Sequence, residues 1–296
     1  MYWLLSVCVL LYIPLILSRK LASKETGDRT VLFKFSLFIA AFGAAIGLIL
    51  VLIEGAKFSF GWVTISTALL FGVLLAVSQL ASFYALQRTS VAVVNMSSTA
   101  SVLIPCVFGV LFFRETLTLG NAVGIIAFLT AAYLITRTTD KTNQDVTMKG
   151  LLACLVVFLA DGVGSVAMQL FSRYSVGVSA SVFMLYGYLA NALVLFVCLF
   201  AVKQRAGLEK IGNKTAIFPK KLFLFGAVAA GVAFAIQQIN VVLANRISAA
   251  VLFPVLKSGS LIFGAVIGWA VFKEKLSVKN IIGVGCCILA VIVLNL

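Results

Sequence analysis

Residues 111–124 read LFFRETLTLGNAVG, and residues 270–283 read AVFKEKLSVKNIIG. Both stretches carry Phe, a basic residue, Glu, any residue, Leu, a hydroxyl residue, and then Asn and Gly at matching offsets. Glu115 and Glu274 stand 159 positions apart, and the same displacement pairs Gly72 with Gly231, Gln79 with Gln238, Ala85 with Ala244 and Gly109 with Gly268. Chance similarity between apolar segments supplies Leu-on-Val matches; it does not align Glu, Gln, Asn and Gly in one register. The chain is therefore read as an internal repeat, the feature that decides its architecture.

Outward from that repeat, the composition fixes the class. The chain has 296 residues, 62% of them hydrophobic and 11% charged, against about 25% charged in a soluble domain. Too few polar groups remain to cover a water-facing surface. The formal net charge is +14, but the basic residues sit in short gaps between apolar runs rather than on one patch, which argues against nucleic acid as a partner. Histidine is absent, so HExxH zinc sites and Ser-His-Asp triads are excluded. The sequence reads as an integral membrane protein, not an enzyme.

A helix needs about 20 mostly apolar residues to cross the ~30 Å hydrocarbon core. Ten such runs are readable: 2–17, 31–53, 62–86, 91–113, 119–136, 149–171, 180–202, 221–244, 248–272 and 278–296. The first is taken as a span rather than a leader, because no basic region precedes it and no small-residue cleavage site follows. All six cysteines fall inside spans without metal-ligand spacing, and neither a cofactor nor a metal is expected. The repeats then divide the chain into 1–140 and 141–296, five spans each. Five is odd, so the second half lies inverted relative to the first. The expected fold is an all-α integral membrane protein, ten transmembrane helices as two inverted five-helix repeats, a construction common in secondary transporters.

Ten spans place both termini on one side. Eighteen of the 23 Lys and Arg residues fall in the odd-numbered connections, and only Lys57, Arg114, Arg173 and Arg246 in the even ones. The positive-inside rule makes the odd connections cytoplasmic and both termini external, in a multi-pass protein of the plasma or inner membrane.

Phe113-Arg114-Glu115 and Phe272-Lys273-Glu274 with their trailing Asn and Gly, Phe253-Pro254 after a short Ser-Ala-Ala link, and Asp161-Gly162 in the sixth span together resemble the drug/metabolite transporter superfamily in its ten-span, EamA-like branch. The likeness covers nearly the whole chain and is firmest at 71–135 and 225–294. It implies transport of a small solute and leaves open which: amino acids, sugars, nucleotide sugars, choline-like cations and drugs all move through relatives. Several members keep both termini in the cytoplasm, and here the charge bias points the other way.

Cost selects the candidate site residues. An ionised side chain at the centre of a spanning helix costs ~2.5–3.5 kcal/mol on insertion scales, and only Asp161 and Lys257 lie well inside spans. They are expected to share one cavity as the pair that handles substrate or protons. If they touch, each stabilises the other's charged form, and a ligand carrying both a carboxylate and an ammonium can replace the internal pair. Lys257 could alternatively snorkel to the interface along its own stem. Gln79, Gln238 and Asn95 are further substrate-binding candidates, the two glutamines because the repeat makes them equivalent; helix-to-helix gluing is the bland reading of all three. Pro105 and Pro254 interrupt the fourth and ninth spans and are candidate gating kinks. Tyr186, Tyr188 and Asn191 could cage an ammonium. Gly43 with Gly47, Gly120 with Gly124, and Gly264 with Gly268 read as close-packing pairs, and Glu115 as an interfacial ion-pair residue.

The function expected is secondary transport, as an exporter, of a small polar or amphipathic metabolite such as an amino acid, by alternating access. No GxxxxGK[ST] loop is present for ATP to power it. The alternatives are a transporter of cationic drugs or quaternary amines, a bile-acid-symporter-like inverted fold, a membrane-embedded lipid enzyme, or a non-transporting scaffold. The expected partners are the small-molecule substrate and the lipid bilayer, with no nucleic acid, and the chain is expected as a monomer or homodimer. The cavity should be lined by the first, third, fourth, sixth, eighth and ninth spans.

Overall fold

In a computed structural model, residues 2–25, 29–89, 91–116, 118–139, 147–205, 220–271 and 278–294 are described. Among these the regular structure is helical throughout: α1 (Tyr2–Glu25), α2 (Arg29–Ile53), α3 (Trp62–Leu86), α4 (Val91–Ala100), α5 (Leu103–Phe113), α6 (Leu119–Thr139), α7 (Met148–Tyr174), α8 (Ala180–Arg205), α9 (Lys220–Ala244), α10 (Ala249–Ala270) and α11 (Val278–Leu294). Seven stretches are long and apolar enough to cross a membrane, one of them the combined α4–α5 segment; the apolar stretches Trp3–Ser18, Leu119–Ile135 and Ile281–Val293 are shorter. Glu274 lies outside the described residues, so the equivalence that the repeat gives it with Glu115 has no structural counterpart.

The bundle is apolar on its outer surface as well as in its core. Large apolar side chains point outward, Phe60, Leu111, Phe112, Ile126, Phe196 and Trp269 among them, while Ser78, Thr99, Gln169, Asn191, Asn240 and Ser258 are buried. In water that arrangement would expose a very large apolar surface. It suits hydrocarbon outside, around an interior whose apolar core also holds polar side chains, and the chain is a multi-pass membrane protein.

The run 91–113 is one span by composition and two helices by geometry. Pro105 has no backbone N–H to give the Ser101 carbonyl four residues back. Ile104 N–H takes that carbonyl instead at 3.1 Å, and Val102 N–H bonds Thr99 rather than Ser98, at 3.3 Å. The helix breaks at Ser101–Val102 and restarts at Leu103. Pro254 by contrast is absorbed inside a continuous α10.

Packing follows a pairwise scheme. α1 lies on α9 and α10, and α7 on α3 and on α4–α5; α3 meets α8, and α9 meets α2; α4 meets α6, and α10 meets α11; α2 pairs with α8, and α6 with α11. Glycine permits the closest approaches. A Cβ on Gly72 of α3 would stand 2.1 Å from the Gly187 carbonyl oxygen of α8, and one on Gly47 of α2 would stand 3.1 Å from the Leu185 backbone. Gly43 and Gly47 thus pack within the bundle, whereas a Cβ on Gly264 would meet open space.

Candidate functional site

Between these pairs lies a cavity of about 510 Å³. The expected lining helices all contribute, and α2 and α8 do so as well, through Phe35, Ser36 and Ile39 and through Tyr188. The extra pair is explained by Gly43, whose missing side chain lets the Tyr188 ring lie against α2.

Asp161 and Lys257 both line this cavity, and no direct ion pair joins them among the described residues, where the ion pair present is Arg173 with Glu115. Ser98 connects them instead. Its hydroxyl donates to Asp161 Oδ2 at 2.5 Å, and its carbonyl accepts from Lys257 Nζ at 3.5 Å. That carbonyl is available because the α4–α5 break has removed the Val102 N–H that a continuous helix would have given it; Ser101 Oγ also donates to it, at 2.7 Å. Ser78 Oγ donates to Asp161 Oδ1 from α3. Three helices, α3, α4 and α7, therefore converge on one carboxylate, and α10 joins through the lysine. The carboxylate has a hydroxyl donor on each oxygen, the kind of pairing that makes a charge tolerable away from water.

Gln79 lines the same cavity, and its Oε1 is buried without a hydrogen-bond partner. Its repeat mate does not share this position. Gln238 lies outside the cavity lining, and its Nε2 donates at 2.8 Å to Ser181 Oγ; that hydroxyl in turn donates to Glu54 at 2.8 Å, which also accepts from Ser179. Gln237 and Asn240 face the cavity from α9 in its place, bonded to each other at 3.2 Å. Asn95 is exposed and outside the lining. Three residues along a helix leave it roughly 60° from Ser98, enough at the edge of the cavity to turn it away. Of the three aromatic-cage candidates, Tyr188 lines the cavity; Tyr186 and Asn191 do not.

Pro105 is buried behind the break, its carbonyl accepting from Gln169 Nε2 at 3.4 Å. Pro254 is buried on α10, one turn from Lys257. Glu115 is an ion-pair residue, as expected, and more: one oxygen takes Arg173 of α7 and the other the Ala249 N–H at the start of α10, at 2.9 Å. Arg114 in the left-handed region, at φ 52, turns the chain so that the carboxylate reaches both. The guanidinium of Arg173 also stacks 4.3 Å from the centre of the Phe113 ring. Of the two donors to Asp161, Ser98 falls on one face of the fourth span with Asn95, Val102 and Cys106 in the sequence, whereas no spacing singles out Ser78.

A solved crystal structure superposes on this chain with a TM-score of 0.75, covering 98% of each chain at 17% sequence identity; likeness at that identity speaks to the fold alone. No family model matches the sequence, and no curated protein matches it.

Proposed function

We propose that this chain is a ten-span secondary transporter of the drug/metabolite transporter superfamily, in its EamA-like branch, that exports a small polar or amphipathic metabolite of amino-acid type by alternating access. The observation that carries this reading is the cavity that holds Asp161 and Lys257 on opposite sides of Ser98. Two charges, a buried amide and aromatic faces from Phe71, Tyr188 and Phe253 match a zwitterion with an apolar side chain. The ammonium of such a ligand has Gln79 Oε1 and Asp161 as acceptors, and its carboxylate has Lys257.

The division into 1–140 and 141–296 as inverted repeats is supported by the packing scheme. Exchanging α1 with α7, α2 with α8, α3 with α9, α4–α5 with α10 and α6 with α11 maps the most extensive contacts onto one another: α1 on α9 becomes α7 on α3, α3 on α8 becomes α9 on α2, and α4 on α6 becomes α10 on α11, while α6–α10, α7–α9 and α8–α9 have no such counterpart. The repeat mates Ala85 and Ala244 are both buried, and so are Gly109 and Gly268. Odd-numbered connections on the cytoplasmic side, with external termini in the plasma or inner membrane, rest on the Lys and Arg bias.

The test is efflux of labelled amino acids from proteoliposomes, after a thermal-shift screen has ranked ligands by stabilisation. Transport that saturates and is lost in Lys257→Met supports the reading. Complete inertness across the panel, by protein shown to be folded, leaves the scaffold alternative.

A further inference from the structure

On the outer side of the α3–α7 seam runs a second concavity, a shallow groove of about 550 Å³. Val77, Ala81 and Tyr84 of α3 face Lys149, Ala153 and Val156 of α7 across it. Both triplets follow i, i+4, i+7, one stripe on each of two antiparallel helices, so the groove runs about 10 Å along the helix axes. Ala81 and Ala153 make its floor by being small. Apart from the Tyr84 hydroxyl and the Lys149 ammonium, its side chains are hydrocarbon.

The mouth of the groove is basic and built. Thr147 N–H and Thr147 Oγ donate to the Arg88 carbonyl at 3.2 and 3.1 Å, and a Cβ on Gly150 would stand 2.8 Å from that same oxygen. The end of α3 is thereby held against the start of α7, with Arg88 beside the first turn that carries Lys149. The Arg88 guanidinium lies 3.7 Å from the centre of the Tyr84 ring, which orients its remaining N–H groups away from the ring. Lys149 is exposed, and neither cation is paired with a carboxylate among the described residues.

We propose that this groove seats one anionic phospholipid, an acyl chain lying along Ala81 and Ala153 and the phosphate held between Arg88 and Lys149. The position argues for a lipid rather than a soluble anion or a protein. The groove opens on the outer apolar surface of the bundle, and its cations stand at the helix ends, where headgroups lie. Basic residues at that level attract anionic lipid, each by about fivefold in binding. A free phosphate would gain nothing from the apolar floor. A zwitterionic lipid offers the same phosphate, but its headgroup cation is repelled by the two basic side chains, so the pair favours a lipid of net negative charge.

None of the eight residues that line the groove, Leu80 and Leu152 included, lines the Asp161 cavity, so the test stands whether or not the chain transports an amino acid. The full-length protein is reconstituted in nanodiscs of phosphatidylcholine and phosphatidylglycerol in equal amounts, and the retained lipid is counted by native mass spectrometry. The wild type should retain phosphatidylglycerol in preference, Arg88→Gln and Lys149→Gln should each lower that preference by on the order of fivefold, and the double variant should abolish it. Ala153→Phe, which fills the groove but keeps both cations, should reduce retention of phosphatidylglycerol. Equal retention of the two lipids by the wild type overturns the proposal. So does wild-type preference in the double variant, or in Ala153→Phe; where the double variant misfolds, the two single variants decide.

Discussion

Lys257 of α10 donates to the backbone carbonyl of Ser98 at 3.5 Å, and it can do so because α4 ends two residues later. The contact joins a charge in the second half of the chain to the broken helix of the first. It also separates two roles that a direct salt bridge would have merged: Asp161 is held by hydroxyls, and Lys257 by a carbonyl.

That separation changes the outcome expected of a double substitution. Were the two charges a structural ion pair, removing both would restore what removing either one destroys. Here Asp161→Asn and Lys257→Met should each reduce transport at least tenfold, and the double variant should remain as poor as the worse single. The measurement is initial efflux rate from proteoliposomes, with folding followed by circular dichroism. A double variant recovering a sizeable part of the wild-type rate would show that the charges act on each other and not on a ligand.

The repeat predicts equivalent sequence, and the structure gives its mates unequal jobs. Gly72 meets the Gly187 carbonyl, while a Cβ on Gly231 would find its nearest neighbour, the Ile46 Cδ1, at 3.8 Å. Gly72→Ala must push α3 from α8, costing on the order of 1–3 kcal/mol. Gly231→Ala adds a methyl in ordinary contact and recovers about 0.5–1 kcal/mol of helix propensity. Thermal unfolding in detergent should therefore separate the two, with Gly72→Ala melting lower and Gly231→Ala unchanged or higher.

Glu115 holds three elements at one end of the bundle: its own segment after α5, Arg173 on α7 and the first turn of α10. Glu115→Ala leaves Arg173 unpaired and the Ala249 N–H without its acceptor. Because the Arg173 side chain is 31% exposed, water softens the loss, which should be about 1–3 kcal/mol. Glu115→Gln keeps an acceptor for Ala249 and should lose less. Chemical denaturation in mixed micelles should order the three proteins as wild type, Glu115→Gln, Glu115→Ala.

Much of this fold was legible because hydrocarbon leaves little freedom. Apolar run length fixed α3 to the residue, 62–86, and the rarity of intramembrane charge picked out Asp161 and Lys257, which do line one cavity. What was not legible depends on rotation and on neighbours from distant sequence. Asn95 shares a nominal face with Ser98, and the rotation between them turns it outward. Gln238 has the spacing of Gln79, but Ser181 on another helix offers it a hydroxyl, and the amide turns there. Ser78 looked like any serine, because its importance comes from standing opposite Asp161 across a seam that spans 83 positions of sequence.

Pro105 ties the break to the site most directly. Restoring an N–H at position 105 lets it bond the Ser101 carbonyl, now taken by Ile104, and lets the α4–α5 junction wind as ordinary helix. Val102 N–H would then turn back to the Ser98 carbonyl and compete with Lys257 for it. Pro105→Ala should leave the protein as stable as the wild type or slightly more so, since removing a proline from a helical segment relieves a clash and adds a hydrogen bond. Transport should nevertheless fall severalfold, because the lysine loses the acceptor that positions it and the junction loses its freedom to bend. Melting temperature and efflux rate should move in opposite directions, or the first stay level while the second drops. A Pro105→Ala protein that transports at the wild-type rate would mean that the break is an accommodation of the proline and that Ser98 does not depend on it.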